Sequence, residues 1–162
     1  MFHFQYMKKI LFGLIGVMVI GVAYYLISPL WRTVKVEDAL PVQMQIKTAT
    51  NPLQSSSTAS MILARGVFKP RAHDVTGEGL MIQNGEEKTL RFEHFKTING
   101  PDVRIYLSAD LDAKDYVDVG AIRGTEGNIN YTIPSGTDHT KYKYILVWCR
   151  AFHVLFSYAL LQ

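Results

Sequence analysis

The sequence predicts an all-β fold, an antiparallel β-sandwich or barrel-like domain preceded by one transmembrane α-helix. Three observations lead there. Residues 10–27 form an uninterrupted stretch without a formal charge. From Met61 onward, short apolar runs recur at intervals of ~8–12 residues between Gly, Pro, Asn and Asp, which is the spacing of a sandwich or barrel. No segment there keeps a 3.6-residue apolar period over three turns. The chain is accordingly read as a short cytoplasmic tail (1–9), a transmembrane helix (10–31), a flexible linker (32–60) and a β domain (61–162).

The helix comes first. At a rise of ~1.5 Å per residue, about 20 apolar residues are needed to cross a bilayer, and Ile10 to Trp31 meets that length. Gly13, Gly16 and Gly21 weaken a helix in water but are common in membrane spans. Tyr24, Tyr25 and Trp31 cluster at one end, as interfacial aromatics do, and Lys8 and Lys9 precede the span. A cleaved secretory signal is the competing reading. Its apolar core is shorter and ends in a pair of small residues, whereas this one exits through Tyr24-Tyr25-Leu26-Ile27-Ser28-Pro29. The two lysines set the N-terminus inside, giving a single-pass signal-anchor with its C-terminal part outside the cytoplasm, periplasmic or at the cell surface.

The linker contains Pro41, Pro52 and the run Gln54-Ser55-Ser56-Ser57-Thr58, which buries little apolar surface. Val34, Val36, Val42, Met44 and Ile46 alternate with polar residues, the pattern of a short strand or a partner contact.

Eight strands follow in order. Met61 to Phe68 is the first. Gly79 to Gln83 ends at Asn84-Gly85, a hairpin signal. Thr89 to Phe95 alternates Leu90, Phe92 and His94 against Arg91, Glu93 and Phe95. Asn99-Gly100-Pro101-Asp102 is a turn leading into Val103 to Leu107. Tyr116 to Ile122, Ile129 to Ile133, Tyr144 to Cys149 and Phe152 to Phe156 complete the set. Gly100, Gly120, Gly124 and Gly127 read as turn positions with positive φ.

Charge and composition exclude several functions. Residues 1–59 carry the whole net charge of +3, and residues 60–162 are neutral with 12 basic and 12 acidic side chains. A neutral domain exerts no general pull on nucleic acid, so no nucleic-acid partner is expected. One cysteine excludes an intrachain disulfide and a zinc site of several thiolates. There is no phosphate-binding glycine loop, nucleophile elbow, zincin helix or covalent haem motif. Asp110, Asp112 and Asp115 lack the glycine and distal glutamate of an EF-hand loop and read as a solvated loop.

Cys149 is the one residue with inherent redox chemistry. In a strand it shares a face with Ile145, Val147 and Ala151, while Trp148 and Arg150 point the other way. Such an apolar face makes a thiol inert, and the plain reading is a small core residue. His153 lies ~13 Å along an unbroken strand, beyond reach of a thiol–imidazole pair unless the chain bends at Arg150-Ala151-Phe152.

The order of motifs resembles the DM-thirteen domain, an electron-transfer domain often found beside DOMON domains. It runs through Gly66-x-Phe68, His73-x-x-x-Gly77-x-Gly79, Leu90-x-Phe92-x-x-Phe95 and Asn99-Gly100-Pro101-Asp102-Val103, then Tyr106-Leu107-Ser108. It continues through Gly120-x-Ile122-x-Gly124-x-x-Gly127-x-x-x-Tyr131-x-Ile133-Pro134 and ends on Trp148-Cys149-x-x-Phe152-x-Val154-x-Phe156 and Ala159-x-Leu161. The resemblance implies a β-rich extracytoplasmic module for electron transfer or redox reactions, rather than a conventional enzyme, with Cys149 as its redox centre. His73 is the candidate for contact with Cys149 or a bound cofactor, because glycines follow it. A lone thiol needs a sulfenic acid, a mixed disulfide with a partner, or a bound haem or metal, and no motif indicates either cofactor. The implied redox partner is a cytochrome or DOMON-type protein. The alternative is a non-catalytic binding or adhesion module for an envelope component or partner protein.

Overall fold

The computed structural model describes residues 2–28, 33–41 and 60–162. The element order is α1 (Phe2–Ile27), β1 (Lys35–Glu37), β2 (Met61–Pro70), β3 (Thr76–Asn84), β4 (Glu87–Lys96), β5 (Val103–Ser108), β6 (Tyr116–Ala121), β7 (Glu126–Thr132), β8 (Tyr144–Cys149) and β9 (Val154–Leu160). Among the described residues no helix is long and apolar enough to cross a membrane. The predicted span runs on into residues 29–31, which lie outside the described residues, as do residues 32 and 42–59 of the predicted linker.

The nine strands make one curled sheet in the order β1-β7-β4-β3-β2-β9-β8-β5-β6. It is a mixed sheet forming a half-barrel: every pairing is antiparallel except β1 with β7. Strand β2 is the hinge of the curl. Its residues from Met61 to Val67 pair with β3, and Phe68 to Pro70 pair with β9. The two flanks then face each other over the core, and β6 touches β7 where the rims approach. Gly79 marks the closest crossing: a Cβ there would run into the δ-methyl of Ile145 from the opposite flank.

The core collects inward residues of β2, β3, β4, β5, β7, β8 and β9. Phe92 is its centre, with ring centroids of Phe68 and Phe95 at 4.9 Å and Tyr131 at 5.1 Å. Such aromatic pairs add about 0.5–1.5 kcal/mol each beyond the area they bury. A smaller cluster on the outer face of the β8–β9 flank holds Tyr106, Leu146 and Leu155, with Leu111, Trp148 and Tyr158 against it.

All eight predicted strands are present, with three shifts. The hairpin after β3 turns at Gly85-Glu86, one residue later than the Asn84-Gly85 signal, with Gly85 at φ 64°. The last strand starts at Val154 rather than Phe152, because residues 150–153 are the turn. The strict alternation in β4 breaks at His94. A left-handed backbone there (φ 50°) inserts a bulge, so Phe95 joins Leu90 and Phe92 in the core while His94 is exposed.

A ninth strand, β1, lies inside the stretch read as linker, where Val34 and Val36 alternate with polar neighbours. Lys35–Glu37 pairs with Glu126–Asn128 of β7. Gly127 permits it. Its φ is 118°, and a Cβ there would meet the Val36 carbonyl oxygen. Gly120 also has positive φ, but both glycines sit within strands rather than turns, and Gly100 and Gly124 do not adopt it. Gly127→Ala should therefore cost about 1–3 kcal/mol through strain and loss of β1 pairing. Thermal unfolding and faster tryptic cleavage after Lys35 are the readouts; unchanged cleavage would contradict the docking.

Candidate functional site

Cys149 is the last residue of β8, with no solvent exposure. It faces Val103 of β5 on one side and Val154 of β9 on the other. Ile145 and Val147 share its side in the main core, and Trp148 lies in the outer cluster, as the alternation predicts. Ala151 does not continue that face, because it is exposed in the turn. The thiol is free.

The chain reverses between Cys149 and Val154, which are directly opposite each other. The bend that a Cys149–His153 approach requires is therefore present at Arg150-Ala151-Phe152. His153 is exposed, however, and sits on a left-handed backbone at φ 54°, while Phe152 projects from the turn at 68% exposure. The turn is pinned from below. The Arg150 N–H donates to the Asp102 carbonyl at 2.9 Å, and its Nε lies 2.7 Å from the Asp102 carboxylate.

His73 reaches the same end of the sheet by another route. The segment after β2 lies along β9: the N–H groups of Arg71, Ala72 and His73 all donate to the Phe156 carbonyl, at 3.0, 3.1 and 3.2 Å. The half-buried His73 ring stands edge-on to the Phe156 ring, with centroids 4.2 Å apart. A Cβ on Gly100 would lie 3.1 Å from that same ring. Phe156 thus joins the His73, Asn99–Asp102 and Cys149–Phe156 motifs, which are separated by up to about 80 positions in the chain. The glycines after His73 serve other contacts. Gly77 lets β4 approach closely, and Gly79 admits Ile145.

Trp148 and His153 border an open groove of about 560 Å³, completed by Arg71, Ala72, Leu111, Asp112, Val154 and Leu155. Beside it Tyr106 stacks on Tyr116 at 4.2 Å, and burial pushes its phenol up to about 12. The aspartates of the 110–115 loop are engaged locally. Asp110 accepts backbone N–H groups of Asp112, Lys114 and Asp115, Asp112 pairs with Lys114 at 2.9 Å, and Asp115 with Lys141 at 2.8 Å. Among the described residues no group of three or more His, Cys, Asp or Glu is arranged to hold a metal ion.

The family model described as Electron transfer DM13 matches residues 67–161. The chain belongs to the electron-transfer DM13 family. No curated protein and no solved structure matches it. The DM13 match covers every strand from β3 to β9 and includes His73, Asp102, Trp148 and Cys149.

Sequence reasoning missed a polar clasp that joins the matched residues to Asp38 and Ala39, which lie before them. Arg91 is 4% exposed and holds Glu93, Asn130 and the carbonyls of Asp38 and Ala39. Asp38 in turn binds Arg123 and the Asn130 N–H. The available signal was an arginine amid β4 apolars, which strand alternation set on the face opposite Leu90 and Phe92.

Proposed function

We propose that this chain is a membrane-anchored extracytoplasmic electron-transfer domain in which Cys149 is the redox centre and the β8–β9 turn is its access point. Membership of the electron-transfer DM13 family carries the reading. The position of Cys149 supports the site: it ends its strand, next to an exposed turn with a left-handed His153. A left-handed non-glycine residue costs on the order of 1 kcal/mol or more, which lowers the work of opening that turn. The anchor rests on the uncharged run Ile10–Ile27 and on the exposure of its apolar side chains all round the helix from Ile10 to Tyr25. The redox partner would be a cytochrome or DOMON-type protein.

With a single thiol, the cycle passes through a species that a second molecule resolves. Peroxide converts the thiolate to a sulfenic acid: the S–O bond forms as the O–O bond breaks, and hydroxide leaves. A partner thiol then displaces water to give a mixed disulfide, and a second thiol returns Cys149 to the reduced state. Mass spectrometry of the folded full chain after mild peroxide treatment tests the site. One reversible modification on Cys149, absent in Cys149→Ala, supports it. Modification only after denaturation removes Cys149 from the mechanism.

The second reading, a binding module without redox chemistry, is favoured by one observation: Cys149 has no exposed surface in the folded domain.

A further inference from the structure

The groove beside Trp148 is lined by two unlike kinds of group. Trp148, Leu111 and Leu155 are apolar, and Arg71 and His153 supply cation and N–H donors. Its volume of about 560 Å³ falls within the ~300–1,000 Å³ range of small-molecule sites.

The two formal charges in the lining, Arg71 and Asp112, cancel, and Lys114, which engages one Asp112 oxygen at 2.9 Å, leaves one net positive charge around the groove. Lys114 foremost, then Arg71, hold the Asp112 carboxyl below its ordinary range. Among the described residues no carboxylate pairs with Arg71 or His153. The Arg71 backbone is fixed to Phe156 at 3.0 Å, so the root of its side chain is held at the groove. His153, which lines this groove, is one of three left-handed non-glycine residues. Strained backbone of this kind persists where the surrounding structure holds it in place.

We propose that the groove binds a small aromatic carboxylate, its ring against Trp148 and Leu155 and its carboxylate on Arg71 and His153. A planar guanidinium matches a carboxylate in two parallel hydrogen bonds, and an indole face suits an aromatic ring. The proposal does not rest on Cys149 chemistry: Cys149 does not line the groove, although His153 belongs both to the groove and to the turn beside the thiol.

Benzoate is the probe, with benzyl alcohol as its neutral counterpart. The purified full chain carrying Trp31→Phe leaves Trp148 as the single tryptophan. Benzoate should change its fluorescence saturably, and benzyl alcohol should bind at least about tenfold more weakly, the discrimination expected from a charge-assisted hydrogen bond. Arg71→Met should weaken benzoate by about the same factor and leave benzyl alcohol unaffected. Leu111→Glu, which sets a negative charge among the apolar lining residues, should abolish benzoate binding while the circular dichroism spectrum is retained. No saturation in the millimolar range overturns the site. Equal binding of the two probes, or benzoate binding unchanged in Arg71→Met, overturns its anion selectivity.

Discussion

Arg91→Met is expected to lower the stability of the domain by about 3 kcal/mol and to release residues 33–41 from the sheet. The guanidinium is 4% exposed, with Nε 2.8 Å from Glu93 and a terminal nitrogen 2.9 Å from Asn130 Oδ1, 3.2 Å from the Asp38 carbonyl and 3.3 Å from the Ala39 carbonyl. Methionine fills much of the same space and leaves Glu93, Asn130 Oδ1 and the Asp38 carbonyl without the Arg91 donor, while the Ala39 carbonyl keeps the Asn130 amide N–H at 2.7 Å. Breaking a buried charge pair costs about 3–5 kcal/mol, and the partial exposure of Glu93 places this one at the low end. For a domain of this size that is a fall in Tm of more than about 10 °C. Arg91→Lys should recover only part of it, because an ammonium keeps the charge and loses the fork. A Tm within a few degrees of the parent would show that the clasp does not hold β1.

The same clasp makes the segment acid-sensitive. The Asn130 N–H foremost, then Arg123, hold the Asp38 carboxyl below its ordinary 3.8, against the opposing effect of burial. A carboxyl whose pKa is depressed on folding adds stability that is fully present above the unfolded value and is lost as pH falls through the folded one. The contribution is therefore intact at neutral pH, begins to fall below about pH 4, and is gone only once the pH is below the depressed folded value. Asp38→Asn should remove that acid-dependent part of the Tm and lower the neutral Tm, and parallel melts of the two proteins check it.

Arg91 also shows where strand periodicity stops being informative. Alternation places it correctly on the face opposite Leu90 and Phe92, but the face is not solvent, because residues 38–39 lie over it. That cover comes from more than 50 positions earlier in the chain, and no local pattern in β4 reports it. Val34 and Val36 signal a strand, yet only the open space at Gly127 decides that β7 receives it, in parallel. His94 is a different failure. A bulge changes the face of every residue beyond it, and a single left-handed residue leaves no compositional trace. The β8–β9 pairing also carries a bulge, between Val147 and Trp148. It leaves Phe156 without a paired residue next to Ser157, which stays in register opposite Val147 and whose hydroxyl is buried without a hydrogen-bond partner among the described residues. The eight domain strands were legible because each has its own apolar run and turn residues. The gathering of His73, Gly100 and Phe156 was not, since it depends on how β2 hands over from β3 to β9.

Cys149 is expected to react with iodoacetamide about a thousandfold more slowly in the folded chain than in the chain unfolded by urea. Its sulfur has no exposure, so alkylation waits for an opening. Core elements open with free energies approaching the global value of about 5–15 kcal/mol, and strand ends with less. An opening free energy near 4 kcal/mol corresponds to a factor of about 10³. The route of opening then separates the two functional readings. If the 150–153 turn and the ends of β8 and β9 part locally, little surface is exposed and low urea leaves the alkylation rate nearly unchanged. If the thiol is reached only by unfolding the whole domain, the logarithm of the rate rises with urea along the full equilibrium slope. The electron-transfer reading needs the first result, because a partner must reach Cys149 without dismantling the sheet. The second would make Cys149 a core residue with no chemistry in the folded protein. Replacing it would then show the same thing in stability: Cys149→Ala would cost little beyond a small cavity, while Cys149→Ser would cost about 1–3 kcal/mol by burying a hydroxyl that finds no partner.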